Sequence, residues 1–218
     1  PKKWIDDYNS WLTTTDINNV LEQYDKSKDN FYYYGAVPID FSLKKNNSCT
    51  VSDLCSFSLQ EHIKKGIKDI GIVFNTDPHN KSGQHWMSLF INICGKRLEN
   101  NPCIFYFDSY GKEPGKEVKE LIDTIIDQGK DSSIDFSYIY NDKPIQKGRS
   151  ECGLYSIDFI LQLLENVTFN EYIKNVITIE TKLKSKEIFN ELEESNDEIV
   201  FYPSDNITVA VRGSYLLF

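Results

Sequence analysis

The chain has 218 residues, 40% hydrophobic and 26% charged, with a formal net charge of −9. That length holds one substantial core or at most two small ones, and the composition is that of an ordinary globular domain. The acidic balance argues against a nucleic-acid-binding protein, which needs a basic face, and no run of about eighteen apolar residues offers a membrane span.

In chain order, residues 16–24 are predicted to form a short helix, with Asp16 as its N-cap. Residues 52–65 are predicted to form a second helix, stopped by Gly66. A strand is expected over 69–74, then a polar loop over 75–84 carrying Pro78 and Gly83. The stretches 86–93 and 104–107 are apolar and β-prone, and the turn at 95–101 should pair them antiparallel. Pro114 can open a helix at 115–127, where Val118, Leu121, Ile122, Ile125 and Ile126 recur at helical spacing. Residues 134–140 alternate as a strand. Residues 152–165 are apolar on most faces, as in a buried central helix. Helices are expected over 169–177 and 182–194, then a β-prone tail at 198–202 and 207–218. No linker or repeat divides the chain. It is read as one α+β domain, with a central mixed sheet flanked by helices.

There are five cysteines, an odd number, and no Cys-x-x-Cys pair. Neither a disulfide framework nor a zinc site is expected, no cofactor motif is present, and a reducing compartment fits best. No signal peptide is apparent. Pro1 stands where an initiator Met would, so the natural N-terminus is expected upstream.

Four side chains carry a coherent chemistry. Cys152 opens the apolar helix. A lone cysteine is commonly a small buried hydrophobe. At a helix N-terminus, however, the dipole and the unpaired N–H groups favour the reactive thiolate. Gly153 beside it would let a substrate approach closely. Of three histidines, His85 alone sits where a loop enters a buried strand. It is either a structural residue at a strand edge or a general base at the mouth of a site. Asp108 ends the strand that should pair with the one His85 begins, so both fall at one edge of the sheet. A carboxylate there fixes the imidazole tautomer, although a turn-capping role also fits Asp108. Gln146 lies six residues before Cys152, and its amide can donate to a developing oxyanion. Trp11 and Trp86 are either core residues or the walls of a slot narrow enough to select glycine.

This set resembles the clan of adenovirus-type and SUMO-protease-type cysteine peptidases. Its pattern is His-Trp, an Asp or Asn after a strand, and Gln-x5-Cys-Gly opening a central helix. Here these are His85-Trp86, Asp108, Gln146 and Cys152-Gly153. Trp11-Leu12 before a short helix is similar to the SUMO-protease N-terminus. Further pieces are similar to the core-polyprotein proteases of African swine fever virus and related large DNA viruses. They are Asn75-Thr-Asp77, Gly83-Gln-His85-Trp86, Phe107-x-Ser109-x-Gly111-x-x-Pro114, Glu151-Cys-Gly153-x-Tyr-Ser156 and Asn166-Val167. The likeness spans 11–177, with 178–218 as an additional helix and tail. Asp108 stands where the swine fever type has Asn, and it is the commoner residue in the clan.

The resemblance implies a papain-like, adenovirus-protease-like fold with the nucleophile Cys152 on its central helix. It implies His85 as base, Asp108 as its orienter and Gln146 as oxyanion donor. Trp11, Trp86 and Gly153 would bind a protein substrate carrying Gly-Gly. Three functions fit. One is a processing peptidase for viral capsid or core polyproteins at Gly-Gly-Xaa sites. A second is an isopeptidase for ubiquitin or SUMO-type modifiers, and a third is an inactive scaffold, which the complete set of four groups disfavours. The adenovirus relative is stimulated by DNA; the −9 charge argues against that partner here. Host cytoplasm or virion is the expected location, with no membrane partner.

Overall fold

The computed structural model describes residues 11–95, 101–183, 208–211 and 214–217, with side chains through Val176. The elements are α1 (Thr14–Ser27), β1 (Phe31–Pro38), β2 (Lys44–Lys45), β3 (Ser48–Cys49), α2 (Ser52–Cys55), α3 (Leu59–Lys64), β4 (Asp69–Asn75) and β5 (Trp86–Asn92). They continue with β6 (Cys103–Phe107), α4 (Lys116–Asp131), β7 (Ser137–Tyr140), α5 (Cys152–Leu164), α6 (Phe169–Leu183), β8 (Thr208–Val211) and β9 (Ser214–Leu217).

Five strands form one mixed sheet in the order β1-β4-β5-β6-β7. The outer pairs are parallel, and β4-β5 and β5-β6 are antiparallel. Strands β4, β5 and β6 are buried along their whole length. Side chains alternate across a strand, and β5 shows the result. Trp86 and Phe90 face a core shared with Phe105, Phe107, Phe159 and Ile160, while Met87, Leu89 and Ile91 face a second core with Val118, Ile122 and Ile125. Helices α1, α5 and α6 therefore cover one face, and α2, α3 and α4 cover the other. Ser88 Oγ donates to the Ser156 carbonyl at 3.3 Å, fastening the middle of the sheet to α5. Phe107 stacks on Phe159 with centroids 5.0 Å apart, directly behind the strand end that carries Asp108. Each such buried aromatic stabilises the domain by roughly 1.5–3 kcal/mol.

Several sequence expectations change in detail. The first helix begins at Thr14, with Thr13 as N-cap. Asp16 is instead the far partner of a capping box, accepting from the Thr13 backbone N–H at 2.8 Å. The helix expected over 52–65 is broken in two. Gln128 of α4 accepts from Leu59 N at 2.7 Å and donates to Phe57 O at 3.0 Å, and Ser58 caps the second piece. Gly66, with φ +78°, ends it as expected. Strand β1 was not anticipated. Its register shifts between Tyr33 and Ala36, around Gly35 at φ +99°, so it lacks a clean alternation. The strand expected over 134–140 is confined to Ser137–Tyr140. Helix α6 runs past 177 to Leu183. The remainder of the 182–194 helix and the 198–202 strand lie outside the described residues. The tail forms the β8-β9 hairpin.

Cys49 and Cys55 are joined by one local disulfide, where the cysteine pattern suggests no disulfide framework. The β2-β3 hairpin folds back on α2, so cysteines six residues apart meet with Cα atoms 6.2 Å apart. Cys103 and Cys152 are buried thiols outside any disulfide, and Cys94 is an exposed one. Among the described residues, no helix is long and apolar enough to cross a membrane.

Candidate active site

The β5-β6 ladder pairs Ser88 with Phe107. His85, just before β5, and Asp108, just after β6, therefore emerge at the same edge of the sheet. His85 Nε2 lies 2.7 Å from Asp108 Oδ1, with both side chains buried. A carboxylate only accepts, so Nε2 carries the hydrogen and Nδ1 is left for another task. Among the described residues, buried Nδ1 makes no hydrogen bond of ordinary geometry. The neighbour acting on the same ring is the sulfur of Cys152, at the first residue of α5. Burial alone would lower the proton affinity of His85. The hydrogen bond to Asp108, the interaction with Cys152 and the negative charges of both outweigh it and raise the pKa to about 9. An imidazolium facing a sulfur at a helix N-terminus is the arrangement that yields a nucleophilic thiolate.

Asp108 is itself fixed. Its Oδ1 accepts from Tyr110 N at 2.7 Å. Asn141, buried just after β7, clamps its backbone: Asn141 Oδ1 accepts from Asp108 N at 2.9 Å, and Asn141 Nδ2 donates to Asp108 O at 2.6 Å. The Tyr110 ring stacks on His85 with centroids 4.6 Å apart. Gly111, at φ +68°, lets the Lys143–Pro144 backbone pass where a Cβ would meet it at 2.4 Å. Neither Asn141 nor Tyr110 was picked out from sequence. Only the β6-β7 pairing brings Asn141 beneath Asp108.

Gln146 is buried in the same corner. Ile145 N and Gln146 N both donate to Ser109 O, at 2.8 and 2.9 Å. Ser109 Oγ donates to Gln146 Oε1 at 2.6 Å. Gln146 Nε2 meets Gly148 O at 3.1 Å, Glu151 Oε2 at 3.2 Å and Tyr110 OH at 3.3 Å. The two N–H groups of this amide thus already have partners. Negative charge gathers here, since the Tyr110 hydroxyl is raised by burial and then by the charges of Cys152, Glu151 and Asp108.

Gly153 gives room to a neighbour in the fold: a Cβ at this position would lie 2.9 Å from Leu12 Cβ. Leu12 O also accepts from Trp86 Nε1 at 3.0 Å. These contacts lay the N-terminal segment across the start of α5. A cleft of about 400 Å³ opens beside it, lined by Trp11, Leu12, Trp86, the end of β1 and the 75–83 loop. Trp11 is exposed at its rim and Trp86 is buried in its wall. Asn75 Oδ1 shapes the loop by accepting from Asp77 N at 2.9 Å, and Asp40 holds His79 Nδ1 at 2.6 Å. Among the described residues, no cluster of three or more His, Cys, Asp or Glu could hold a metal.

The sheet and the Cys-His-Asp corner together define the class: a thiol hydrolase scaffold. The model of the Ulp1 protease family, C-terminal catalytic domain, matches residues 57–195. The chain belongs to this family of cysteine proteases. It is 33% identical over 171 residues to a protein of Acanthamoeba polyphaga mimivirus named as a thiol protease, covering 78% of this chain and 53% of that one. It is 28% identical over 127 residues to a SUMO-1 cysteine protease of African swine fever virus, covering 56% of this chain and 44% of that one. The chain thus spans about half the length of the curated relatives it matches. The crystal structure of the African swine fever virus protease superposes with a TM-score of 0.64 at 20% identity, over 79% of this chain and 67% of that one. The fold is the same.

Proposed function

We propose that the chain is the catalytic part of a viral cysteine peptidase that cleaves after Gly-Gly in polyproteins. The observation that carries this reading is the corner itself. His85 is locked to Asp108 on one side and acts with Cys152 on the other. Cys152 is the nucleophile. Its thiolate attacks the glycine carbonyl, and the electron pair moves onto oxygen. Gln146 Nε2 and the Cys152 backbone N–H hold that oxyanion. The His85 imidazolium gives its proton to the leaving amine. Water, deprotonated by the neutral imidazole, then releases the acyl group and restores the thiolate. Asp108 keeps the ring in the tautomer that these transfers need.

Substrate selection falls to the cleft. Trp11 and Trp86 line it together, and a segment without side chains suits a passage walled by indoles. Removal of a folded modifier ending in Gly-Gly uses the same chemistry. The name of the swine fever relative, a SUMO-1 protease, favours that second reading. Because the named relatives are viral, host cytoplasm and virion are the proposed locations.

The deciding experiment labels wild-type and Cys152→Ala protein with electrophilic ubiquitin, SUMO and a short Gly-Gly peptide. Cys152-dependent reaction with the peptide alone supports polyprotein processing. Reaction with a whole modifier but not the peptide supports deconjugation. Equal labelling of wild type and Cys152→Ala would remove the thiol from the mechanism.

A further inference from the structure

We propose that Ser109 is a positioning residue for the oxyanion donor, setting which end of the Gln146 amide faces the reacting carbon. This rests on the reading of Gln146 as that donor. A glutamine amide can turn over about its last bond, and only one orientation presents N–H groups. The contacts at Gln146 settle which one. The Gly148 carbonyl and the Glu151 carboxylate lie 3.1 and 3.2 Å from one end, and both can only accept. That end is therefore the NH2 group. The opposite end is then a carbonyl, and Ser109 Oγ, 2.6 Å away, is its donor.

The serine is needed because the acceptors alone do not hold the carbonyl end. Gln146 is buried, and without Ser109 its Oε1 would lack its one side-chain donor. An unsatisfied buried acceptor is costly, so the amide would turn or swing to recover a partner. Ser109 itself is 1% exposed, and its carbonyl takes the backbone N–H groups of both Ile145 and Gln146. The serine thus grips the glutamine at main chain and side chain together. Its neighbour Asp108 grips His85 in the same way, by a side chain leaving the same strand end. One dipeptide, Asp108-Ser109, consequently sets the orientation of both the base and the oxyanion donor. The chain reaches Gln146 only after β7 and Asn141, so this coupling joins groups far apart in sequence.

The arrangement also makes the amide a shared resource. Its two N–H groups serve Gly148, Glu151 and the Tyr110 hydroxyl before any substrate arrives. An oxyanion must displace one of these contacts. Ser109 keeps the amide's NH2 end on that side throughout, so the exchange needs no rotation of the group.

The test separates thiolate reactivity from oxyanion binding. Alkylation by iodoacetamide displaces iodide at a saturated carbon and forms no oxyanion. A Gly-Gly peptide aldehyde adds the Cys152 thiolate to its carbonyl and leaves an oxygen that the donors must hold. In Ser109→Ala, alkylation of Cys152 should proceed at the wild-type rate. The aldehyde inhibition constant should rise, and kcat fall, by about ten- to a hundredfold with KM little changed. Ser109→Thr against Ser109→Val, equal in volume and differing in the hydroxyl, repeats the comparison if the alanine variant folds poorly; Ser109→Thr should retain the function. Gln146→Ala is the control. If it weakens the aldehyde while Ser109→Ala and Ser109→Val do not, the role given to Ser109 is wrong. If neither Gln146→Ala nor the Ser109 variants matter, Gln146 is not the donor and the proposal falls with it; if the aldehyde does not bind wild type, the Gly-Gly reading fails first and takes the proposal with it.

Discussion

Trp86 donates its indole N–H to the Leu12 carbonyl at 3.0 Å, and Leu12 fills the space left by Gly153. Trp86, Gly153 and the N-terminal segment thus meet at one leucine. Trp11 reaches the cleft rim because Leu12 is held in this way. The two tryptophans are one device: the buried one anchors the segment that carries the exposed one. In Trp86→Phe an aromatic wall remains, but the Leu12 carbonyl loses its donor. The expected loss is about 1–2 kcal/mol of stability. KM for a Gly-Gly peptide should rise several-fold while iodoacetamide still alkylates Cys152 at the wild-type rate. An unchanged KM would mean that the segment's seating does not govern substrate binding.

Gly153→Ala probes the same contact from the helix. Alanine is the better helix former by about 1 kcal/mol, so a packing-free position would gain stability. Here the new methyl meets Leu12 at its Cβ, which cannot swing aside as a side-chain tip would. Overpacking of this kind costs about 1–3 kcal/mol. The net expectation is a lower melting temperature and a raised KM. A melting temperature above wild type would show that Leu12 yields freely.

Asp108, through its hydrogen bond and then its charge, helps to keep the proton on His85, and Cys152 adds to the effect. With His85 raised to about 9, above its ordinary value of 6.5, its folded-state proton is stabilising. That contribution is complete below pH 6.5 and disappears as pH climbs through 9. Asp108→Asn keeps the shape and removes the charge. The His85 titration, followed by NMR, should move downward toward 6.5, and the alkaline limb of kcat/KM should move with it. The rate at neutral pH should drop on the order of a hundredfold or more, with a far smaller change in KM. If the alkaline limb stays in place, some other group titrates there.

The geometry of the proposed catalytic corner was legible to the extent that it is local. His85 and Asp108 were placed at one sheet edge from two short apolar runs and the turn between them, and the ladder joins Ser88 to Phe107 as that requires. Cys152 was legible because an apolar run begins there. What escaped depends on contacts that only the closed fold makes. Asn141 reaches Asp108 across 33 residues, and Ser109 reaches Gln146 across 37. Strand β1 escaped because its bulge breaks the alternation, and the Cys49–Cys55 disulfide because the hairpin that closes it has strands of only two residues. The contact of Gly153 with Leu12 escaped because Leu12 comes from the far N-terminal end of the described chain.

Asp158 is a buried carboxyl that the proposed chemistry leaves unused. It lies on α5, and burial raises its pKa to about 7; the Tyr172 hydroxyl and the Gln162 amide only partly counter this. Neither oxygen makes a hydrogen bond of ordinary geometry among the described residues. An acid with a raised folded pKa favours the folded state most at low pH, and that advantage is lost as pH rises from about 4 to about 7. Above that range the fold must bury a carboxylate among Phe159, Tyr172 and their neighbours, or leave it protonated against its tendency to ionise. Asp158→Asn has nearly the same shape and no charge to bury. It should raise unfolding stability by roughly 1–3 kcal/mol at about pH 8 and change little at about pH 4. Denaturant unfolding of both proteins at the two pH values measures this directly. A gain of equal size at both would assign the effect to hydrogen bonding and not to ionisation. A loss at about pH 8 would show that the ionised carboxylate is stabilised by partners that the present geometry does not supply.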